Sequence, residues 1–319
     1  MKKIVFVLLI MLAVLSFAAC EKETENKIEN ENQDSNKNSV TEQRFQLSSD
    51  GYDLNAVYVD AGNAGPAVLL IAGSGPCDED ETVGSLKPFS DIANAFAKQG
   101  ISSLRFEKRT FQYAEDFLPT DGIEEEYLTD CRAALAWLRE QPKTESVYLL
   151  GHSLGGQMAT ILAAEDKGIK GIILWNSTAR HLADVCYDQF TAADPDNQSS
   201  YAEYAAAAKA AGPNNAKGYF YYGASDYYWA SYNEIQVIDN INKAGILTLI
   251  INSTYDNQIF DADIELWEKS FENTSNVTRK IYDDQSHFGY QIDTNDAASL
   301  YSKQEFPEEL ISDFASFCK

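Results

Sequence analysis

The sequence contains few basic residues, few histidines and few cysteines. Lys and Arg total 25 against 49 Asp and Glu residues, so the formal net charge is -24. A surface of that sign repels phosphate backbones and anionic lipid headgroups, which argues against nucleic acid as a partner. The five cysteines include no CxxC pair and no Cys/His cluster at metal-ligand spacing. Neither a zinc module nor a dense disulfide framework is therefore indicated.

Apolar residues, by contrast, are plentiful. The chain has 319 residues, of which 45% are hydrophobic and 12% are aromatic. This length and apolar content suffice for one large domain or two small ones. The composition therefore excludes a wholly disordered protein.

The amino terminus has the pattern of an export signal. Two lysines precede an apolar run over residues 4–15, which is shorter than the roughly 20 residues of a membrane-spanning helix. The small residues just before Cys20 resemble a bacterial lipobox. The resemblance implies a signal peptide over residues 1–19, lipid on the Cys20 sulfur, and an extracytoplasmic protein that contacts the membrane only through this anchor. A plain secretory signal, and hence a secreted protein, is the alternative.

Residues 20–43 form a polar segment. Glu, Asn, Lys, Gln, Asp, Ser and Thr make up almost all of it, and so little apolar surface does not offset the entropy of ordering. We expect a disordered tether with a root-mean-square reach of about 25 Å. A folded domain over residues 44–319 is expected to follow it.

From residue 45 onward, short apolar runs alternate with longer helical patterns. This alternation predicts an α/β fold whose central sheet is mostly parallel and flanked by helices. An antiparallel hairpin of residues 44–47 and 52–59 is expected at its start. The predicted strands after it are 67–72, 101–106, 146–150, 169–175, 247–252 and 277–282. The predicted helices are 88–99, 126–140, 154–166, 262–271 and 305–317.

One segment departs from this alternation. Residues 177–243 are rich in Ala and Tyr, and the segment is too long for an unstructured loop in a compact domain. We expect a helical cap insertion there. Its aromatic side chains favour a pocket wall suited to acyl chains, aromatic acyl groups or sugar rings. The alternative is that these aromatic side chains form the core of the cap.

A Gly-x-Ser-x-Gly segment follows the predicted strand 146–150. It reads GHSLG at residues 151–155 and runs directly into the predicted helix 154–166. A sharp strand-to-helix turn holds its serine in a strained conformation, and the glycines provide the space for it. Ser153 is therefore the candidate nucleophile. It lies beside a helix amino terminus, which favours developing negative charge.

Over nearly all of residues 45–319 the sequence resembles an α/β-hydrolase. The closer likeness is to the branch of dienelactone hydrolase-like proteins and acyl esterases or peptidases. Two stretches carry it: VLLIAGSGP at residues 68–76 and GISSLRFEKR at residues 100–109. Members of this branch usually have Asp where Glu107 stands and Gly where Thr110 stands, so a role for residues 105–109 stays open. The resemblance implies the α/β-hydrolase fold.

Three histidines are available as the general base. The resemblance places the catalytic imidazole after the last predicted strand, where His287 lies in the stretch DDQSHFG. His287 is therefore expected to act as general base and acid. His152 lies within the serine turn and is expected to be a packing residue, and His181 falls in the predicted cap.

A carboxylate that orients the imidazole should lie between the serine and the histidine in sequence. The turn after the predicted strand 247–252 resembles the acid-bearing turn of the family and contains Asp256. Asp256 is the candidate, and a turn residue or helix cap is the alternative use of this side chain. Asp283 and Asp284 are too near His287 in sequence to be favoured.

Two backbone amides are needed to stabilise the oxyanion of an acyl-transfer intermediate. In this family one amide belongs to the residue after the serine, here Leu154. The other belongs to the loop after the strand 67–72, which reads GSGP at residues 73–76. The amide of Ser74 is the first candidate there and that of Gly75 the second. A plain turn is the alternative.

These residues together predict a serine hydrolase that cleaves a carboxylic ester through an acyl-serine intermediate. Ser153 would attack, His287 would transfer the proton and Asp256 would stabilise the imidazolium. This chemistry requires no metal and no organic cofactor, and its partner is a small-molecule ester. Two alternatives stay open: a serine peptidase or amidase of the same fold, and a non-catalytic lipoprotein that binds a ligand at the cell surface.

Overall fold

The computed structural model describes residues 39–292 and 306–319. The predicted signal peptide, Cys20 and most of the predicted tether lie outside these residues. Strand β1 (Thr41–Ser49) pairs along its whole length with strand β2 (Tyr52–Asp60). The folded part therefore starts at Thr41, earlier than the predicted boundary between residues 43 and 44, because polar residues at a sheet edge still form ladder hydrogen bonds.

The described residues contain ten strands, and eight of them form the central sheet. After β1 and β2 the strands in chain order are β3 (Gly65–Ile71), β4 (Ser102–Phe106), β5 (Thr144–His152), β6 (Ile169–Trp175), β7 (Phe220–Tyr221), β8 (Ala224–Ser225), β9 (Leu247–Ser253) and β10 (Val277–Tyr282). The sheet has the order β1-β2-β4-β3-β5-β6-β9-β10, and β7 and β8 form a separate small hairpin. Only the pairs β1–β2 and β2–β4 of the sheet are antiparallel among the described strands.

The described ranges contain ten α-helices: five agree with the predicted ones except at two amino-terminal ends, four belong to the cap insertion, and the four-residue helix after β4 is not among the predicted ones. They are α1 (Pro88–Lys98), α2 (Arg109–Gln112), α3 (Thr129–Arg139), α4 (Leu154–Glu165), α5 (Leu182–Ala193), α6 (Gln198–Ala210), α7 (Asp226–Tyr232), α8 (Val237–Ala244), α9 (Asp261–Phe271) and α10 (Glu308–Phe317). The predicted helix 126–140 begins with a π-helical turn, Glu124–Leu128, before α3. The predicted helix 305–317 begins at Glu308, and its residue 305 lies outside the described residues. No helix in the described ranges is long and apolar enough to cross a membrane.

Helices cover both faces of the sheet. In β3, Val68 and Leu70 pack into the core that holds α1 and α10. The alternate residues Leu69 and Ile71 pack into the core that holds α3 and α4. Successive side chains of a strand point to opposite faces, so a strand buried on both faces is a continuous apolar run. This explains the run of apolar residues that predicted β3.

A helical insertion separates β6 from β9. It consists of α5, α6, the hairpin β7–β8, α7 and α8 and is called the cap below. The aromatic rings of Tyr222 and Tyr232 lie 6.3 Å and 5.8 Å from that of Trp229, and all three side chains are buried. These aromatic residues therefore form the core of the cap itself, which was the alternative interpretation of the Tyr-rich segment.

Candidate active site

Ser153 lies on the turn between β5 and α4, with φ 52° and ψ -123°. A positive φ is uncommon for a residue with a side chain and marks a strained turn. The neighbouring glycines are required by space. A Cβ on Gly155 would lie 2.2 Å from the Ile71 carbonyl oxygen, and one on Gly151 would lie 2.3 Å from the Gly155 carbonyl oxygen. The serine turn is thus packed directly against the carboxyl end of β3.

The side chains of His287 and Asp256 form a buried pair. His287 Nδ1 lies 2.7 Å from Asp256 Oδ2. The two residues follow β10 and β9, which are neighbouring parallel strands, so their turns lie at the same edge of the sheet. The other carboxylate oxygen of Asp256 accepts hydrogen bonds from the amides of Gln258 and Ile259, at 2.7 Å and 2.9 Å. One carboxylate oxygen of Asp256 is therefore bonded within its own turn, and the other lies at the His287 imidazole.

The serine turn and the histidine loop meet through His152. Its Nε2 lies 2.9 Å from the main-chain oxygen of His287, and the two imidazole rings are 4.6 Å apart between centroids. Among the described residues the Ser153 hydroxyl has no hydrogen-bond partner, so its bond to the His287 imidazole is not made in this structure. Catalytic hydrogen bonds are often long without substrate and shorten when it binds.

His152 has a larger role than the packing role expected from the sequence. Its Nδ1 lies 2.8 Å from Glu81 Oε1, so both ring nitrogens face oxygens that act as acceptors. Only the protonated imidazole donates from both nitrogens. Burial by itself lowers the pKa of His152, but the Glu81 carboxylate, the bond to the His287 main-chain oxygen and the Asp256 charge together outweigh burial, and the pKa is raised above its usual value. The sequence did not indicate Glu81 as a functional residue, because an acidic residue within a run of acidic residues is expected to lie at the protein surface.

The GSGP loop, residues 73–76, lies beside the serine. A Cβ on Gly73 would lie 3.1 Å from the Cβ of Ser153. The Gly73 amide donates to Glu81 Oε1 at 2.7 Å. Within the described ranges, the amides of Ser74, Gly75 and Leu154 donate to no acceptor. The structure therefore leaves the three predicted oxyanion donors available, while Gly73 is occupied by the Glu81 carboxylate.

The basic segment that carried part of the family resemblance forms buried ion pairs. Arg105 Nε lies 2.8 Å from Asp80 Oδ1, and Arg109 Nη2 lies 2.6 Å from Asp130 Oδ1. These two pairs join β4 and α2 to the neighbouring loop and helix. Lys108 differs from both arginines, because its ammonium group lies at the GSGP loop.

His181 lies away from this site, at the start of α5. Its Nδ1 accepts a hydrogen bond from the Ala183 amide, and its Nε2 lies 2.6 Å from Asn233 Oδ1. His181 is therefore the N-cap residue of α5, and it connects α5 to the carboxyl end of α7. Of the three histidines, only His287 is paired with the predicted acid. In the described part of the chain, no group of three or more His, Cys, Asp and Glu side chains is placed to hold a metal ion.

A mainly apolar cavity opens next to the GSGP loop, between the segment after α2 and the hairpin β7–β8 of the cap. Pro76, the last residue of the GSGP loop, contributes to its wall. Its other lining residues are Thr110, Ala114, Phe117, Leu118, Pro119, Asp121, Glu126, Phe220, Gly223, Ser225 and Tyr228. The cavity is the candidate site for the part of a substrate that lies beside the reacting carbonyl.

Comparisons of sequence identify relatives of the chain. The family model described as alpha/beta hydrolase fold matches residues 82–211. Esterase EstD of Thermotoga maritima is 33% identical over 225 residues, which are 70% of this chain and 54% of that protein. The chain thus spans about half the length of this curated relative.

Solved structures show the same architecture at low sequence identity. Est1E from Butyrivibrio proteoclasticus has a TM-score of 0.58 at 16% identity, over 86% of this chain and 96% of that chain. The acylaminoacyl peptidase of Pyrococcus horikoshii has a TM-score of 0.58 at 14% identity, over 87% of this chain and 41% of that chain. The protein has the α/β-hydrolase fold, with a mostly parallel central sheet flanked by helices, and the predicted fold class is confirmed. Within this fold class, its sequence relative EstD is an esterase.

Proposed function

We propose that the protein is a serine esterase that hydrolyses a carboxylic ester through an acyl-serine intermediate. The hydrogen-bonded pair of His287 and Asp256 carries this proposal, because it lies next to the strained turn of Ser153. The sequence likeness to esterase EstD supports it. The proposal uses only groups of this chain and requires no cofactor.

The mechanism follows from the position of each group. The Ser153 hydroxyl attacks the ester carbonyl carbon while His287 Nε2 accepts its proton, since Nδ1 is held by Asp256. The resulting oxyanion accepts hydrogen bonds from the amides of Leu154 and Ser74. The tetrahedral intermediate then expels the alcohol, which takes the proton from His287. Water, activated by the same imidazole, attacks the acyl-serine, releases the acid and regenerates Ser153.

The cavity supports an uncharged, apolar substrate group. Most of its lining is apolar, and its two charged residues, Asp121 and Glu126, are acidic. Glu126 is paired with Lys108, so a carboxylate or phosphate on the substrate would meet the charge of Asp121 and the net charge of -24, which is unfavourable. We therefore propose an ester with an alkyl or aromatic group as the substrate class.

Replacement of Ser153 by Ala tests the proposed nucleophile. We expect hydrolysis of p-nitrophenyl acetate to fall by about 10,000-fold or more, because acyl transfer loses its nucleophile. Covalent labelling by a fluorophosphonate should be lost as well. The matched control is Ser146→Ala at the other end of β5, which should keep both. Turnover or labelling that persists in Ser153→Ala would reject the assignment.

The same triad is able to cleave amides, so matched substrates separate an esterase from an amidase. p-Nitrophenyl acetate and p-nitroacetanilide share the acyl group and the aromatic ring and differ in the bond that is cleaved. We expect turnover of the ester and none of the anilide. Preferential turnover of the anilide would favour the amidase.

We also propose that the mature chain is anchored outside the cytoplasm through lipid on Cys20. The apolar run and the small residues before Cys20 support this proposal. The first described strand, β1, begins at Thr41, so 20 residues, 21–40, separate Cys20 from it. The anchor would thus be separate from the catalytic site.

A further inference from the structure

Lys108 is a buried cation beneath the GSGP loop. Its Nζ donates hydrogen bonds to the carbonyl oxygens of Gly73 at 3.1 Å and Gly75 at 2.8 Å, and to Glu126 Oε1 at 2.6 Å. An ammonium group has three N–H donors, so these bonds use all of them. The side chains of Lys108 and Glu126 are only 3% and 2% exposed. The hydrogen bonds of the Lys108 ammonium group are therefore made to the GSGP loop and to the Glu126 carboxylate.

A second donor reaches the same carbonyl. The Tyr127 hydroxyl donates to the Gly73 oxygen at 2.5 Å, and the Lys108 ammonium lies over the Tyr127 ring at 3.7 Å from its centroid. The Gly73 carbonyl thus accepts from two side chains that come from different segments. Such double coordination fixes the plane of the peptide group between Gly73 and Ser74.

The orientation of this peptide determines where the Ser74 amide points. The Gly73 carbonyl and the Ser74 N–H belong to one peptide group, and no peptide bond among the described residues is cis. In a planar trans peptide the C=O and the N–H point in opposite directions. The bonds from Lys108 and Tyr127 on one side therefore direct the Ser74 N–H to the other. A positive charge at the carbonyl also polarises the peptide group, which makes the N–H a stronger donor.

We propose that Lys108, together with Tyr127, is a positioning residue that orients and polarises the Ser74 amide as an oxyanion donor. This inference rests on the proposed esterase function. Lys108 bonds to the Gly73 carbonyl rather than to the reacting atoms, and its effect passes through the Gly73–Ser74 peptide. The segment at residues 105–109, whose role stayed open in the sequence, thereby gains a specific function at this one residue.

Glu126 and Tyr228 connect this arrangement to the cap. The second carboxylate oxygen of Glu126 accepts a hydrogen bond from the Tyr228 hydroxyl at 2.6 Å, and Tyr228 belongs to α7. Both residues also line the apolar cavity. Because Tyr228 lines the proposed substrate cavity, Tyr232 of the same helix is the comparison for Tyr127. Its buried hydroxyl donates to Gln157 Oε1 at 2.7 Å, and its side chain does not line the cavity.

The first test compares Tyr127→Phe with Tyr232→Phe. Each change removes one buried hydroxyl and leaves every charge in place. We expect Tyr127→Phe to lower kcat for p-nitrophenyl acetate by about 5- to 10-fold, as the loss of one neutral hydrogen bond implies, with KM within twofold of wild type. Tyr232→Phe should leave kcat within twofold. Equal losses of kcat in both variants would overturn the proposal.

The second test removes the cation. Lys108→Met alone would leave the Glu126 carboxylate buried and unpaired, which destabilises the fold, so the variant is Lys108→Met combined with Glu126→Gln. We expect kcat to fall by about 100-fold, the usual effect of losing an oxyanion donor. The inhibition constant of a boronic acid should rise by a similar factor, because its tetrahedral adduct on Ser153 places an oxygen at the same amide. KM should change little.

Thermal unfolding of each variant separates positioning from folding. A folded double variant whose kcat and boronic acid affinity match those of wild type would overturn the proposal. If the double variant does not fold, the comparison of the two Tyr→Phe variants tests the proposal. Failure of the proposed function has a different signature. In that case the wild-type protein itself would show neither ester turnover nor labelling by a fluorophosphonate.

Discussion

At the scale of single residues, the interior of the site holds charges that a sequence pattern assigns to the surface. Glu81 and His152 are nearly fully buried and bonded to each other. Together they hold the Gly73 amide and the main-chain oxygen of His287. One ion pair thus fixes the GSGP loop, the serine turn and the histidine loop relative to one another. Removal of either partner would leave the other charge buried without compensation, which is costly.

The His152–Glu81 pair makes stability depend on pH in a defined direction. Its partner raises the folded-state pKa of His152 above the unfolded value of about 6.5. The protonated form therefore stabilises the fold fully below about pH 6.5, and this contribution is lost as the pH rises through the folded-state pKa. Glu81→Gln removes the carboxylate that raises this pKa. We expect the difference in unfolding free energy between wild type and Glu81→Gln to be largest near pH 6 and to shrink toward pH 9.

Urea unfolding at a series of pH values measures this difference. Glu115→Gln, a change at an exposed position in the loop after α2, is the matched control and should show no comparable trend. Besides Glu81, the titratable groups that face His152 are Asp256 and His287, and both are unchanged in the two variants. A difference that stays constant from pH 6 to pH 9 would contradict the role given to the pair.

At the scale of elements, the start of α3 departs from regular helix where it meets the site. The π-helical turn Glu124–Leu128 contains Glu126 and Tyr127, which are consecutive residues that both contact the Lys108 ammonium. Turns of this kind are rare and occur mainly at functional positions. The segment between α2 and this turn and the hairpin β7–β8 of the cap form the walls of the apolar cavity. In the proposed esterase, substrate selection would therefore depend on two elements outside the central sheet.

Leu118, on the segment after α2, tests the cavity as the subsite for the apolar part of the ester. Its side chain is 56% exposed and lines the cavity. We expect Leu118→Ala to lower kcat/KM for p-nitrophenyl butyrate and hexanoate by about 3- to 10-fold relative to the acetate, because a smaller apolar wall buries less of the chain. A parallel series of alkyl acetates determines whether the acyl or the alcohol group occupies the cavity.

Phe111 provides the control for this experiment. It is exposed to a similar degree, 48%, and lies on the neighbouring helix α2 without lining the cavity. Phe111→Ala should leave the ratio between long and short esters unchanged. If Leu118→Ala leaves both series unchanged, or if Phe111→Ala shifts them equally, the cavity is not the subsite.

At the scale of the whole molecule, the three proposed catalytic residues come from distant parts of the chain and lie at the carboxyl ends of parallel strands. Ser153 follows β5, Asp256 follows β9 and His287 follows β10. This edge is where α/β sheets place their ligands. The cap contributes Tyr228 to the same region. Because the proposed anchor at Cys20 is separated in sequence from all of these residues, loss of the anchor should not alter catalysis.

Cys20→Ser tests the proposed lipid anchor in the full-length chain. We expect the wild-type protein in the membrane fraction and the detergent phase of a Triton X-114 separation, and the variant in the aqueous phase, because the hydrophobic attachment is lost. Specific activity on p-nitrophenyl acetate should be equal in both. Wild-type protein in the aqueous phase would favour the secreted alternative. Cys186→Ser, a change at a thiol buried in the cap, is the control for replacing a cysteine.

The sequence by itself determined the serine turn and the order and type of the main strands and helices outside the cap, because these depend on apolar periodicity and on the glycines that a tight turn requires. The family resemblance added His287 and Asp256 as candidates. Only the tertiary structure placed Glu81 and Lys108 beside their partners in the interior. The partners are His152 for Glu81 and Gly75 for Lys108, and they lie 71 and 33 residues away in sequence. From sequence alone a charged residue is expected to be exposed, because only folding places an opposite charge or a carbonyl group beside it.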